Sequence, residues 1–291
     1  MPASPNDILL QTDQVAALLD SQKSQPVLPV FVGSEAMFEQ AHLPGSAHIA
    51  PAALVCGHAP ATGKLPDADQ LAHVFSAIGL EPNTIVVAYD DEGGGWAGRL
   101  LWTLDVVGHQ HYRYLDGGLL AWLDDQRDIE RGRASHANPG TYAASEYPIN
   151  IDSRQLVSAE QLIALLEQHA VDIWDARSAA EYSGDKAVAA RAGHMPGAVN
   201  LDWLELIDRS RALRLKPLQH IRATLAARGI NGAKPIVTHC QTHHRSGLTY
   251  LVGKLLGFDI RGYDGSWSEW GNRSDTPIET GIAATGVETH Q

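Results

Sequence analysis

Three blocks of sequence recur in the same order in the two halves of this 291-residue chain. This duplication limits the possible folds more than any single motif does. LQTDQVAALL at 10–19 matches VSAEQLIALL at 157–166. Each has a hydroxyl residue, Thr12 or Ser158, placed to cap a helix whose apolar residues fall at helical spacing. AHLPGSAHI at 41–49 matches GHMPGAVNL at 193–201. IVVAYD at 85–90, followed by Asp116-Gly117-Gly118 and Trp122, matches IVTHC at 236–240, followed by Asp264-Gly265-Ser266 and Trp270. A repeat this long is a duplicated domain and not a solenoid unit. In the second copy, short apolar runs at 171–174, 198–201, 236–239 and 260–263 read as strands. Helical patterns lie between them at 158–168, 218–228 and 246–256. Alternating strands and helices imply an α/β fold: in each copy, a mostly parallel sheet flanked by helices. The expected division is residues 1–125, a linker at 126–154 with mixed charge, Pro139-Gly140 and Pro148, a second domain at 155–274, and a tail at 275–291.

Composition narrows the function. The net charge of −12 argues against a nucleic-acid partner. The acidity is concentrated in the first copy, so the second is the half that can tolerate a small anion. No apolar run is long enough to span a bilayer, and the N-terminus lacks the basic and apolar regions of a secretory signal. Two cysteines, Cys56 and Cys240, cannot build a disulfide framework or a Cys-rich zinc site. The expectation is a cytoplasmic protein with reduced thiols and no membrane association.

Chemistry concentrates in His239-Cys240-Gln241-Thr242-His243-His244-Arg245-Ser246. A strand precedes it and a helix follows, so Cys240 falls at the carboxyl end of a strand, where open α/β sheets bind ligands. Successive loop N–H groups can form an anion nest, the helix N-terminus adds positive potential, and Arg245 adds a full charge. All three favour thiolate over thiol at Cys240, which makes it a nucleophile. His243 and His244 are expected to shape the loop and hydrogen-bond to substrate. Adjacent histidines point in different directions and seldom share a metal, so no metal is expected. Cys56 reads as structural. The first copy has Asp90 where the second has Cys240, followed by Asp91-Glu92-Gly93-Gly94-Gly95. A carboxylate cannot attack as a thiolate does, and this acidic loop should repel an anion. The first copy is therefore expected to be silent, serving as support and as one wall of an interdomain cleft.

Over nearly its whole length the chain resembles the rhodanese family, the thiosulfate and 3-mercaptopyruvate sulfurtransferases. The matching pieces are Asp175-Ala176-Arg177 with Glu181-Tyr182, the Gly193–Asn200 segment, the Cys240 loop, and Asp264-Gly265-Ser266-Trp267 with Trp270. The resemblance implies tandem rhodanese-like domains with an inactive first copy, and it implies a mechanism. The Cys240 thiolate would take the outer sulfur of a small anionic donor, carry it as a persulfide, and pass it to cyanide or a thiol in a double displacement without a cofactor. Thiosulfate enzymes of the family commonly place Arg and Lys directly after the cysteine, and mercaptopyruvate enzymes a Gly- and Ser-rich loop. Gln241-Thr242-His243-His244-Arg245 is neither. It resembles a bacterial subgroup assigned thiosulfate activity, and Arg245 with two potentially cationic histidines suits a sulfonate dianion. Arg191 lies where family members place substrate-binding arginines. Arg177 is expected to pair with Glu181, and Trp267 and Trp270 to lie in the core.

Two other activities use similar residues. His-Cys before a loop ending Arg-Ser is also a phosphatase signature, but here the loop is one residue short, a cradle better suited to a single sulfur than to a phosphate. A persulfide carrier that hands sulfur to a protein partner would need the same loop as the enzyme.

Overall fold

A computed structural model describes residues 5–21, 25–133 and 147–281. Parts of the expected linker and tail lie outside these residues. The strands are β1 (Leu9–Leu10), β2 (Val27–Val32), β3 (Ala47–Ile49), β4 (Ile85–Tyr89) and β5 (Tyr112–Leu115) in the first copy. In the second they are β6 (Asp172–Asp175), β7 (Val199–Asn200), β8 (Ile207–Asp208), β9 (Arg214–Leu215), β10 (Ile236–His239) and β11 (Ile260–Gly262). The first sheet runs β1-β5-β4-β2-β3 and the second β11-β10-β6-β7, with every neighbouring pair parallel. The two orders superpose as a duplication requires. Even β1 has a counterpart, since Leu156 forms an isolated parallel bridge to Gly262 of β11. The β8–β9 hairpin is antiparallel.

Alternation along the strands explains why both faces of each sheet are covered. In β4, Val86 and Ala88 enter one core, while Ile85, Val87 and Tyr89 enter another on the opposite face. In β10, Ile236 and Val237 divide in the same way. The core on one face runs through both domains and includes Trp102, Trp174, Leu248 and Cys240 itself. Trp267 and Trp270 are fully buried, as their apolar setting implied.

The helix caps differ between the copies. Ser158 caps Ala159–Glu167, its hydroxyl accepting from the N–H of Gln161 at 3.2 Å. In the first copy the helix Thr12–Asp20 starts one residue earlier than expected. Gln11 is the cap, its N–H donating to the Gln14 carboxamide at 2.8 Å, and the Thr12 hydroxyl reaches Asp125 instead. Thr12 leaves the cap because its hydroxyl has a carboxylate partner elsewhere in the domain. The described residues that follow 125 still pack on the first domain: the Trp122 indole donates to Asp128 O, and Glu130 bridges His42. Near the C-terminus, Glu279 bridges His194 in the same manner.

The helices that leave β4 and β10, Gly95–Val106 and Arg245–Leu255, pack against each other as the centre of the domain interface. Gly98 and Gly247 face one another there. A Cβ on Gly98 would lie 2.4 Å from the Gly247 carbonyl carbon, and one on Gly247 would lie 2.4 Å from the Arg99 nitrogen. No L side chain fits such a backbone approach without displacing a helix. Gly98→Val should therefore destabilise the fold by about 1–3 kcal/mol, the usual range for overpacking. A thermal melt should show the loss as a lower Tm.

Candidate active site

β10 ends at His239, and the chain turns through Cys240–His244 into the Arg245–Leu255 helix, as the sequence pattern implied. Neighbouring backbone pins the turn. Trp267 N–H donates to Cys240 O and Ser268 N–H to Gln241 O, each at 2.9 Å. His243 takes φ +56°, in the left-handed region where a non-glycine residue costs about 1–3 kcal/mol. Its burial and its hydrogen bond to Ser246 Oγ at 2.7 Å hold it there.

Cys240 is buried. Burial by itself pushes its thiol up. The Arg245 charge and hydrogen bonding from the Ser246 hydroxyl and N–H outweigh that, and the net shift is downward, toward thiolate. The N–H groups of Gln241, Thr242, His243 and His244 donate to no group among the described residues, a set of donors that an anion could take up.

The first copy uses the same turn differently. Asp90 Oδ1 accepts from the N–H groups of Glu92, Gly93 and Gly94 at 3.2, 3.1 and 2.8 Å, and Oδ2 accepts from Ala97 N–H at 3.0 Å. The expectation that this loop merely repels an anion is corrected: its nest is already filled by its own carboxylate. Burial, then the Glu92 charge, push the Asp90 carboxyl up against those donors.

Arg245 does not stand free. Its Nη1 and Nη2 donate to Glu181 Oε2 and Oε1 at 2.8 and 2.9 Å, a two-point ion pair. Burial raises the Glu181 carboxyl, but Arg245 and the Ser178 donors outweigh it and hold the group at about 2. Arg177 therefore does not pair with Glu181. It pairs with Asp175, whose Oδ1 accepts from both its N–H and its Nε at 3.0 and 2.9 Å, and it stacks 4.2 Å from the Trp267 ring. Glu181, the partner that orients the loop arginine, was missed as a site residue. Its signal was the Ser178-x-x-Glu181 capping box, which seats that carboxylate at the start of a short helix.

The histidines also differ from expectation. His243 is fully buried, edge-on to Trp102 of the first domain at 4.4 Å. Burial and then the charge of Arg99 press its pKa well below the usual value, so it is a neutral packing residue and not a cation for a sulfonate. His244 stacks on Trp96 of the first domain at 4.3 Å, and its Nε2 meets Glu92. The Gln241 carboxamide turns away to Val188 O at 3.0 Å. The Thr242 backbone lies against Gly63, where a Cβ would approach its carbonyl oxygen to 2.1 Å. Arg191 is not brought into this group. Its guanidinium donates to Thr276 O at 2.9 Å and Trp270 O at 3.1 Å, clamping the segment that leaves the last helix. Cys56 is half-buried, its thiol directed at Ala61 O at 3.7 Å.

The paired Asp-Gly motifs have a use that spacing alone did not reveal. Asp116 Oδ1 accepts from Leu215 N–H of the second domain at 2.8 Å, and Asp264 Oδ2 accepts from Leu65 N–H of the first at 2.9 Å. Each copy thus clasps the other. Lys64, beside Leu65, pairs with Glu269 at 2.7 Å. Among the described residues, no group of three or more His, Cys, Asp or Glu side chains is placed to hold a metal, and no helix is long and apolar enough to cross a membrane.

Two α/β domains of matching strand order, one with a cysteine at the strand-to-helix turn and the other with a self-bonded aspartate there, define a tandem α/β scaffold. The family model described as a rhodanese-like domain matches residues 11–125 and 158–273. A thiosulfate sulfurtransferase of Azotobacter vinelandii is 45% identical over 90% of this chain and 94% of its own. One of Pseudomonas aeruginosa is 44% identical over 84% and 88%. Among solved structures, the anaerobic ergothioneine biosynthesis enzyme of Chlorobium limicola superposes with a TM-score of 0.81 at 21% identity, over 95% of this chain and 71% of that one, a likeness of fold alone. The chain belongs to the rhodanese family and is a sulfurtransferase.

Because Arg245 is the main charge that lowers the Cys240 thiol, the rate of Cys240 alkylation should rise with pH through an inflection below about 8.5, the free-cysteine value. Arg245→Gln should move that inflection up by about one pH unit or more, read by iodoacetamide kinetics across pH.

Proposed function

We propose that this chain transfers the outer sulfur of thiosulfate to a thiophilic acceptor, cyanide or a thiol, through a persulfide on Cys240, in the cytoplasm and without a cofactor. The thiolate attacks the outer sulfur of the donor, and the S–S bond breaks with its electron pair leaving on sulfite. The persulfide then occupies the turn, facing the free N–H groups of residues 241–244 and the charge of Arg245. An acceptor attacks the outer sulfur and returns the thiolate, so the kinetics are ping-pong.

The observation that carries this reading is the contrast between two copies of one turn. Where the nucleophile is absent, the Asp90 carboxylate consumes the nest. Where Cys240 is present, the donors are left for an incoming anion. Relatives at 44–45% identity that bear the name thiosulfate sulfurtransferase support that donor. Within the loop, Arg245 and the backbone N–H groups meet the donor's charge, while Gln241, Thr242 and His243 fix the shape of the turn. The division into domains at 1–125 and 155–274 belongs to the same reading, with the first copy as a non-catalytic partner.

Incubation with thiosulfate should add the mass of one sulfur atom to the intact protein. Cyanide should remove it, and Cys240→Ala should never acquire it. A gain from mercaptopyruvate but not thiosulfate would replace the donor, and no gain from either would overturn the reading.

A further inference from the structure

The proposed cycle leaves one side chain of the active loop without a task. The first copy supplies the closest contacts of His244: its ring stacks on Trp96, its Nε2 meets Glu92 Oε1, and Gly95 lies beneath it, where a Cβ would come within 2.6 Å of Nε2. Trp203 closes a further side at 5.9 Å. Its other nitrogen, Nδ1, makes no hydrogen bond among the described residues and is not buried, since the side chain keeps 22% of its exposure. An imidazole whose one nitrogen is clamped by a carboxylate and whose other is open is arranged as a base. The carboxylate fixes the tautomer with hydrogen on Nε2 and leaves the Nδ1 lone pair free.

We propose that His244, oriented by Glu92 of the other domain, is the general base for thiol acceptors in the second half of the cycle. The inference rests on the persulfide reading above. The acceptor thiol gives its proton to His244 Nδ1, and the resulting thiolate attacks the outer sulfur of Cys240–S–SH. The bond between the two sulfurs breaks with its electron pair passing to Cys240 Sγ. The products are the acceptor persulfide and the Cys240 thiolate, and the imidazolium returns its proton to water. An alkyl thiol, with a pKa of about 8.5, is mostly protonated at pH 7 and needs this help. An aromatic thiol already ionised at pH 7 does not. Charged or titratable groups on the elements around the ring are Asp90, Asp91 and Glu92, Arg99 and Asp105 on the helix of Trp96, Asp202 and Glu205, and Cys240, His243, Arg245, Tyr250 and Lys254. Of these, Glu92 is the one whose side chain bonds to the imidazole.

The test loads Cys240 with sulfur, confirms the load by intact mass, and times its discharge to an alkyl thiol and to an ionised aromatic thiol. His244→Gln keeps an amide near the Nε2 position and removes Nδ1. It should slow discharge to the alkyl thiol about 100-fold, the lower end of general-base effects. Its loss with the aromatic thiol should be at least tenfold smaller, and the gap should close as pH rises past 8.5. Glu92→Gln should show the same pattern at about tenfold. Equal losses with both thiols in both variants, or no loss with either, would overturn the assignment. Failure to load sulfur in the parent protein would instead refute the persulfide reading.

Discussion

Gly98 and Gly247 bring two helix backbones into contact, and that contact sets how the two domains meet. It joins the helices that leave the two equivalent strands β4 and β10, so it joins the two equivalent turns at their starts. With the helices so close, the loops that precede them face each other. Thr242, His243 and His244 each meet a residue of the first domain: Gly63, Trp102, and Trp96 with Glu92. Around this centre, the Asp116–Leu215 and Asp264–Leu65 hydrogen bonds close the interface in both directions. Asp105 gathers Tyr112, Tyr250 and Lys254 at 2.7–2.9 Å on its carboxylate. The two Asp-Gly clasps are reciprocal, as expected where a duplicated chain packs against itself.

The same geometry distinguishes the two copies. A turn whose N–H groups converge must give them a partner or leave them to solvent and ligand. Asp90 gives them a carboxylate, and the loop becomes a closed, self-satisfied structure on which Glu92 and Trp96 are fixed. Cys240 leaves them open, and the charge of Arg245 is steered by Glu181 without being cancelled at the sulfur, whose thiol still moves toward thiolate. The Asp90 loop thus packs against the Cys240 loop through Glu92 and Trp96.

Much of this was legible in the sequence. The repeat, the parallel sheets, the strand that ends at Cys240 and the helix that begins at Arg245 follow from periodicity and from comparing the halves. What escaped was chosen by tertiary contact. Glu181 could pair with Arg177 or Arg245 by spacing. The fold gives Arg177 to Asp175, two residues away on the same strand end, and leaves Glu181 for the loop. His243 and His244 look alike in sequence, yet a left-handed φ at His243 turns one ring inward to Trp102 and leaves the other at the domain edge. Arg191 sits beside a family motif but is consumed by carbonyls near Trp270 and Thr276. Glu92 lies in the copy that lacks the cysteine, and only the packed interface shows where it reaches.

The filled turn of the first copy is expected to hold the open turn of the second in working order, a dependence that can be measured. Its most direct test is the rate at which Cys240 takes sulfur from thiosulfate in Asp90→Ala, a change that adds and removes no group in the Cys240 loop. With the nest of the first copy emptied, Glu92 and Trp96 lose their support, and sulfur loading should fall at least tenfold in protein that still melts cooperatively. A folded Asp90→Ala protein that loads sulfur at the parent rate would show that the Cys240 turn needs no such support.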